Sequence, residues 1–480
     1  MTISELQLAL PEIFVLGMTC VVLLADLFIS DERRGLTHAL AMVTLVFAGI
    51  LSLGSMMAPG DIEEAFAGTF VRDRFGDILK VFSYLIFLGV FVYAKHYLRQ
   101  FSLFKGEFYT LCLFSLLGMM VLISAGSLLT VYLGLALMLL PSYALVAFNR
   151  ESVFGSEAAL KFFVLSALAS GILLFGMSLV FGASGSLDLG VISQALSGGM
   201  GDNLLLTFGL VFIVIGIAFE FGAAPLHMWI PDVYHGAPMP ITLLLSSVPK
   251  LAAVALAIRL LDNGMISLHA DWQTMLVVLS AASMLLGNII AIAQTNIKRM
   301  LAYSTIGHMG FVLLGLLPAT AEGYAAAMYY AIVYAIMSAG SFAVLILISK
   351  DGVEGEMLDD LKGLARRNPW HALMMLMFMF SLAGIPVFVG FFAKWQVIVA
   401  AISAGFTWLG ILAVISAVIG CFYYLRVVKL MYFDEPEGEL QPATAPADFG
   451  LTLSINGLSM LGLGIFSGGL IGLCTTAFIL

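Results

Sequence analysis

Four lysines fall where hydrocarbon should exclude them. Lys80, Lys161, Lys250 and Lys394 lie inside apolar runs of a 480-residue chain that is 61% hydrophobic and 11% charged. An ammonium on a spanning segment is costly, and where one persists it usually marks an ion or proton path. Lysine suits proton transfer. Burial makes it easier to deprotonate and a nearby carboxylate opposes that, so a moving charge can load or unload it. Arginine stays charged and cannot do the same. Lys80 and Lys161 lie near the ends of their runs. Snorkelling to the interface explains Lys80, while for Lys161 a buried role stands equally. Lys250 and Lys394 lie in or beside stretches broken by proline and glycine, and there the proton-path reading is favoured.

Other titratable groups gather around the same stretches. The segment from Val214 to Lys250 also carries Glu220, His227, Asp232, Tyr234 and His235. Imidazole is the natural relay near neutral pH. His308, placed on an apolar run after the basic pair Lys298 and Arg299, reads as a relay or gate. His227 reads more readily as a packing residue. His38, His96, His269 and His371 stand near the ends of apolar runs and read as interfacial.

What must position these groups is a helix that stops and starts again. Pro225, Pro231, Pro238 and Pro240 remove backbone donors, and Gly222 and Gly236 permit unusual dihedrals. In hydrocarbon a broken helix survives only inside protein or beside a water-filled cavity. The stretch SLAGIPVFVGFFAKW, with Gly384, Pro386 and Gly390, repeats the pattern five spans later.

A spanning helix needs about 20 apolar residues, and such runs cover the chain almost end to end. Fourteen are predicted, at 10–29, 36–58, 77–97, 108–125, 128–148, 159–182, 203–222, 240–261, 273–293, 301–317, 323–348, 370–400, 406–431 and 450–478. The fold class is therefore an all-α integral membrane protein. Interrupted helices in corresponding positions point to repeated halves with a pathway at mid-membrane. The expected organisation is a three-helix part at 1–105, a first five-helix repeat at 106–262, an inverted second repeat at 263–432, and a last helix within 433–480.

Orientation follows from lysine and arginine. Loops after odd-numbered spans carry fourteen, including Arg33, Lys105, Lys298, Arg299, Lys350, Arg426 and Lys429. Loops after even-numbered spans carry only Arg72, Arg74 and Arg259. The positive-inside rule puts both termini in the periplasm or its equivalent. Glu5 and Glu12 stand where a signal peptide would be basic, so the first span is expected to insert uncleaved. The net charge of −9 comes without a basic stripe, which excludes nucleic-acid binding. Cys20, Cys112, Cys421 and Cys474 are scattered through apolar runs without metal or disulfide spacing.

Longer motifs add a family. PDVYHGAP, SSVPKLAA, AIAQTNIKRMLAYSTIGHMGFVLLG, SLAGIPVFVGFFAKW and FYYLRVVKLMYFDEP resemble the antiporter-like membrane subunits of complex I. YYLRVVKLMYFDEP points to the N-type subunits of bacterial proton-translocating NADH:quinone oxidoreductase, and the likeness extends from PEIF at residues 11–14 to the last spans. The resemblance implies fourteen helices in two inverted repeats, a half-channel from each side and a central lysine–glutamate–histidine axis. Lys161, Lys250, His308 and Lys394 fall on positions where the family has functional residues. It further implies a bacterial inner-membrane location beside other complex I membrane subunits, including antiporter-like neighbours. This chain would hold no cofactor. NADH, flavin, iron–sulfur clusters and quinone would act elsewhere in the complex.

Two departures bear on function. Where the family reads close to LGLELMSLP, this chain reads LGLALMLLP, which leaves Ala136 at the carboxylate position. Where the family has a lysine in a segment like AFKLG, this chain has AFEFG and so Glu220. The first-half glutamate–lysine pair is thus absent, and Glu220 is expected to pair instead with Lys161 or Lys250. Smaller departures are Val387 and Ser166. A cation/proton antiporter subunit of the same fold, or a membrane-arm subunit with impaired pumping, are the alternatives.

Overall fold

The computed structural model describes residues 2–57, 62–200, 203–349, 352–435 and 446–478. Lys350, counted above for orientation, and Pro436, which ends the FYYLRVVKLMYFDEP motif, lie outside the described residues. The chain is nearly all helix, as a backbone in hydrocarbon must be, because only a helix or a closed barrel pairs every amide within the membrane. Eleven helices among the described residues are long and apolar enough to cross a membrane. The other predicted spans fall on Leu10–Asp26, on Ile297–Leu316, and on the pair Pro369–Ala383 and Val389–Ser403. Outside the helices, among the described residues, stands one short antiparallel hairpin, Glu63–Ala65 with Phe70–Arg72. Its Arg72–Glu63 ion pair (2.7 Å) belongs to a polar connection rather than a span.

Two helix interruptions lie next to the buried lysines. Leu204–Phe221 ends on Gly222 at φ 71°, and helix resumes at Trp229–Gly236. Pro369–Ala383 ends on Gly384 at φ 84°, and helix resumes at Val389–Ser403. Both are left-handed helix stops, a conformation that a Cβ resists. The span carrying Lys250 instead runs on through its prolines. Pro240 and Pro249 each sit in the first turn of a segment, where no amide donor is needed. Met239–Ser247 and Pro249–Ala257 therefore follow one another with only Val248 between, and Ile258–Gly264 continues as a wider helix.

Burial corrects several sequence expectations. Lys80 does not snorkel. It is 2% exposed, and its Nζ lies 2.6 Å from Glu12 on the Leu10–Asp26 helix. That partner is distant in sequence, so periodicity could not reveal it. Arg259 is not on a loop but buried, with a fork onto Asp73 (2.6 and 2.9 Å) and a third bond to the Ile123 carbonyl at 3.0 Å. His38 and His371 are buried rather than interfacial, and His38 meets the Tyr109 hydroxyl at 3.2 Å. Breaking one side of a buried ion pair leaves an uncompensated charge, whereas replacing both sides with apolar groups does not. Lys80→Met is therefore expected to destabilise the chain by about 3–5 kcal/mol, and Lys80→Met with Glu12→Leu to recover most of it. Thermal unfolding in detergent measures both, and equal melting of the single variant and the parent would remove the pair as a stabilising element.

Candidate functional site

The two helix breaks hold lysines in the same way. Lys250 is 1% exposed, and its Nζ donates to the carbonyls of Glu220 and Phe221, both at 3.1 Å. Those are the last residues before Gly222. Lys394 is 8% exposed and donates to the carbonyls of Leu382 (2.8 Å) and Ala383 (2.9 Å), the last before Gly384. A helix end leaves its final carbonyls without intrahelical donors, and the macrodipole makes that end negative. Each ammonium is thus stabilised by backbone, with an aromatic ring as a further wall. Trp229 lies 5.1 Å from Lys250, and Phe311 lies 5.4 Å from Lys394. Among the described residues neither lysine forms an ion pair.

Hydrogen-bonded hydroxyls gather on the helices around the two lysines. Ser246, one turn before Lys250, accepts from Ser338 at 2.8 Å. Ser338 lines a small cavity with Leu301, Ser304, Tyr334, Ser341, Phe342 and Leu382, a space on the order of one water. Leu382 is also one of the residues whose carbonyl holds Lys394. On the far wall Tyr334 donates to Thr305 at 2.7 Å, and Ser304 shares a hydrogen bond with the Tyr424 hydroxyl. Tyr424 reaches His308 Nε2 at 3.0 Å, and Tyr330 reaches His308 Nδ1 at 2.7 Å. A hydroxyl both donates and accepts, so such groups can pass a proton by successive exchange. His308 is 4% exposed. Its helix, Ile297–Leu316, packs against Ala321–Ile348, Val389–Ser403 and Trp229–Gly236.

Not every predicted residue joins these groups. Lys161 lies apart from them. Its side chain is 44% exposed and pairs with Glu157 and Asp232, each at 2.9 Å. Glu157 sits one turn earlier on the same helix, close enough to hold the lysine near the helix start. Glu220 gives Lys250 its backbone carbonyl, while its carboxylate has no ion pair or hydrogen bond among the described residues. The expected pairing of Glu220 with Lys161 or with Lys250 is therefore not found as a direct contact. Lys161 is engaged elsewhere, and the Lys250 ammonium faces the helix end. His227 is half-buried in the interruption between Phe221 and Trp229. Asp232 ties the short helix to Lys161 and, at 3.0 Å, to Arg299.

The hydroxyls were missed from sequence, although a signal existed. Tyr330 and Tyr334 are one turn apart on a helix that is otherwise almost wholly apolar, and Ser246 stands one turn before Lys250. Among the described residues no three His, Cys, Asp or Glu side chains are grouped to hold a metal ion, and the four cysteines are free.

Known proteins resemble this chain in sequence and in fold. A family model described as NADH:quinone oxidoreductase/Mrp antiporter, TM, matches residues 125–420. The NADH-quinone oxidoreductase subunit N of Thioalkalivibrio sulfidiphilus is 51% identical over 476 residues, covering 99% of this chain and 98% of its own. That of Acidithiobacillus ferrooxidans is 52% identical over 466 residues, covering 97% of this chain and 96% of its own. Among solved structures, a chain of respiratory complex I from Thermus thermophilus with bound aureothin superposes with a TM-score of 0.82 at 30% identity. It covers 97% of this chain and 99% of that one. A chain of the Mrp complex from Dietzia sp. shares the fold, with a TM-score of 0.85 at 22% identity over 99% of this chain and 97% of that one.

Proposed function

The chain belongs to the NADH:quinone oxidoreductase/Mrp antiporter transmembrane family as a subunit N, and we propose that protons cross it through Lys250, the Ser246–Ser338 hydroxyls, the small cavity, His308 and Lys394. It is a proton-translocating membrane subunit of NADH-quinone oxidoreductase. What supports the residue assignment is the pair of buried lysines on two helix ends, with the hydrogen-bonded Ser246 one turn before Lys250 and an imidazole held by tyrosine hydroxyls. A lysine held only by carbonyl dipoles can lose its proton without leaving a carboxylate unpaired. When a charge moves nearby, one lysine unloads while the other loads.

Several further parts belong to the same reading. Among the described residues the lysine-on-glycine-stop arrangement occurs once in 106–262 and once in 263–432, which supports two inverted five-helix repeats, with 1–105 and 433–480 flanking them. Helices 7 and 12 are then the discontinuous ones. Glu220 and Lys161 border the first half-channel rather than sit on the axis. Other complex I membrane subunits, antiporter-like neighbours among them, pack against the apolar outer faces. Flavin, iron–sulfur clusters and quinone react with NADH-derived electrons in other subunits and drive this one. The chain lies in the bacterial inner membrane with the lysine- and arginine-rich face in the cytoplasm and both termini in the periplasm.

The test is direct. Proteoliposomes holding the purified complex, given NADH and quinone, are expected to acidify inside at a rate that an uncoupler abolishes and sodium does not change. Pumping that requires sodium would favour a cation/proton antiporter. Turnover without any contribution from this chain would favour a structural subunit, a reading kept alive by Ala136 and by the Glu220 carboxylate, which has no direct partner among the described residues.

A further inference from the structure

The polar face of the Lys250 span begins well before Lys250. Thr242, Ser246 and Lys250 recur every four residues through Met239–Ser247 and Pro249–Ala257, so they share one face. All three are buried. Where that face starts, one carboxylate collects donors from three elements. Glu354, in the segment after Ala321–Ile348, accepts from the Met239 amide at 2.9 Å, from Lys298 Nζ at 2.7 Å and from the Tyr97 hydroxyl. Tyr97 lies near the end of Arg74–Gln100, and Lys298 opens the helix that carries His308. Lys298 is 1% exposed and also donates to the Ala237 carbonyl at 2.8 Å. Thr242 Oγ1 donates to the Tyr234 carbonyl at 2.9 Å and lies 3.3 Å from that same Ala237 carbonyl. The ammonium thus stands at the head of the Thr242–Ser246–Lys250 row, with one carbonyl between it and Thr242.

A plain structural tie does not require a lysine here, since apolar replacements of buried ion pairs are often equally stable. We propose that Lys298 and Glu354 form the proton entry gate of this chain. With the ammonium seated on Glu354 and the Ala237 carbonyl the row is shut; when it leaves that carbonyl, the row opens from the lysine- and arginine-rich side. The proposal rests on the Lys250–His308–Lys394 reading above. A fixed positive charge at the mouth of a narrow file repels an entering proton strongly, because little water screens it. Burial alone would raise the Glu354 carboxyl, but the Lys298 charge and the three donors hold it below the usual carboxylate range. The other charged groups facing the pair are Glu356 with His235, 3.6 Å apart, and Asp232 with Arg299.

Passive leak separates a gate from a tie. The complex carrying Lys298→Met, in proteoliposomes under a potassium diffusion potential and without NADH, is expected to leak protons about tenfold faster than the parent. Adding Lys250→Met is expected to abolish the extra leak. An unchanged leak in the first variant, or one that persists in the second, overturns the gate. Should Lys298→Met fail to assemble, Thr242→Val keeps the shape of the row and removes its first hydroxyl. It is expected to assemble and to pump about tenfold more slowly under NADH; undiminished pumping overturns the proposal. Lys394→Met is run beside it. Lost pumping there with normal pumping in Thr242→Val refutes the gate alone, whereas normal pumping in Lys394→Met refutes the relay itself.

Discussion

Complex carrying Lys394→Met is expected to assemble at parental levels and to lose proton pumping by about tenfold or more. Methionine approximates the volume of the lysine stem, so packing beneath Phe311 persists while the ammonium disappears. The carbonyls of Leu382 and Ala383 then lose their donor, at a cost of about 1–3 kcal/mol. That is tolerable for a chain whose helices are otherwise intact. Lys394→Arg sharpens the reading, because guanidinium keeps the charge at the helix end but does not release a proton. If titration is what matters, both variants fail to pump. If only charge at the helix end matters, arginine rescues and methionine does not. Normal pumping with methionine would make Lys394 a packing residue. Proton uptake in proteoliposomes, normalised to the assembled complex, measures all three.

The positions of Lys250, His308 and Lys394 were legible because each contradicts its surroundings. A charged or imidazole side chain inside an apolar run stands out, and proline with glycine announces where a helix cannot continue. Gly222 and Gly384 lie at the two helix ends for that reason. What the chain does not disclose locally is contact across it. Lys80 and Lys161 look alike in sequence, each near the end of an apolar run. Yet Lys80 is buried on Glu12, and Lys161 is half-exposed on Glu157 and Asp232. Their partners differ by which helices pack together, and periodicity carries no information on that. Glu354 is the sharper case. It reads as a charge in a polar connection, and only the fold brings Tyr97, Met239 and Lys298 onto it. The bonded hydroxyls are illegible for the opposite reason, since serine and tyrosine are ordinary in membrane helices and differ from their neighbours only where the fold bonds them to one another.

Restoring the family pair with Ala136→Glu and Glu220→Lys is expected to raise proton flux through the first half of the chain. In the present chain Lys250 is held by the carbonyls of Glu220 and Phe221, and the Glu220 carboxylate has no direct partner among the described residues. Without a direct contact, the Glu220 carboxyl is a poorer counter-charge for Lys250 than a paired acid would be, because attraction falls with distance. The double replacement supplies an acid at position 136 and an ammonium at position 220, two groups whose attraction changes when either titrates. Glu220→Lys alone sets a second cation beside Lys250 without an acid. Like charges that close disfavour each other's charged forms, so the single variant is expected to pump less than the double. Flux is compared among the parent, each single variant and the double in proteoliposomes at equal NADH turnover. The order double above parent above Glu220→Lys supports control by this pair. Equal flux in parent and double would mean that transport in this chain does not pass under the influence of positions 136 and 220, and that Lys250 is governed by the helix end alone.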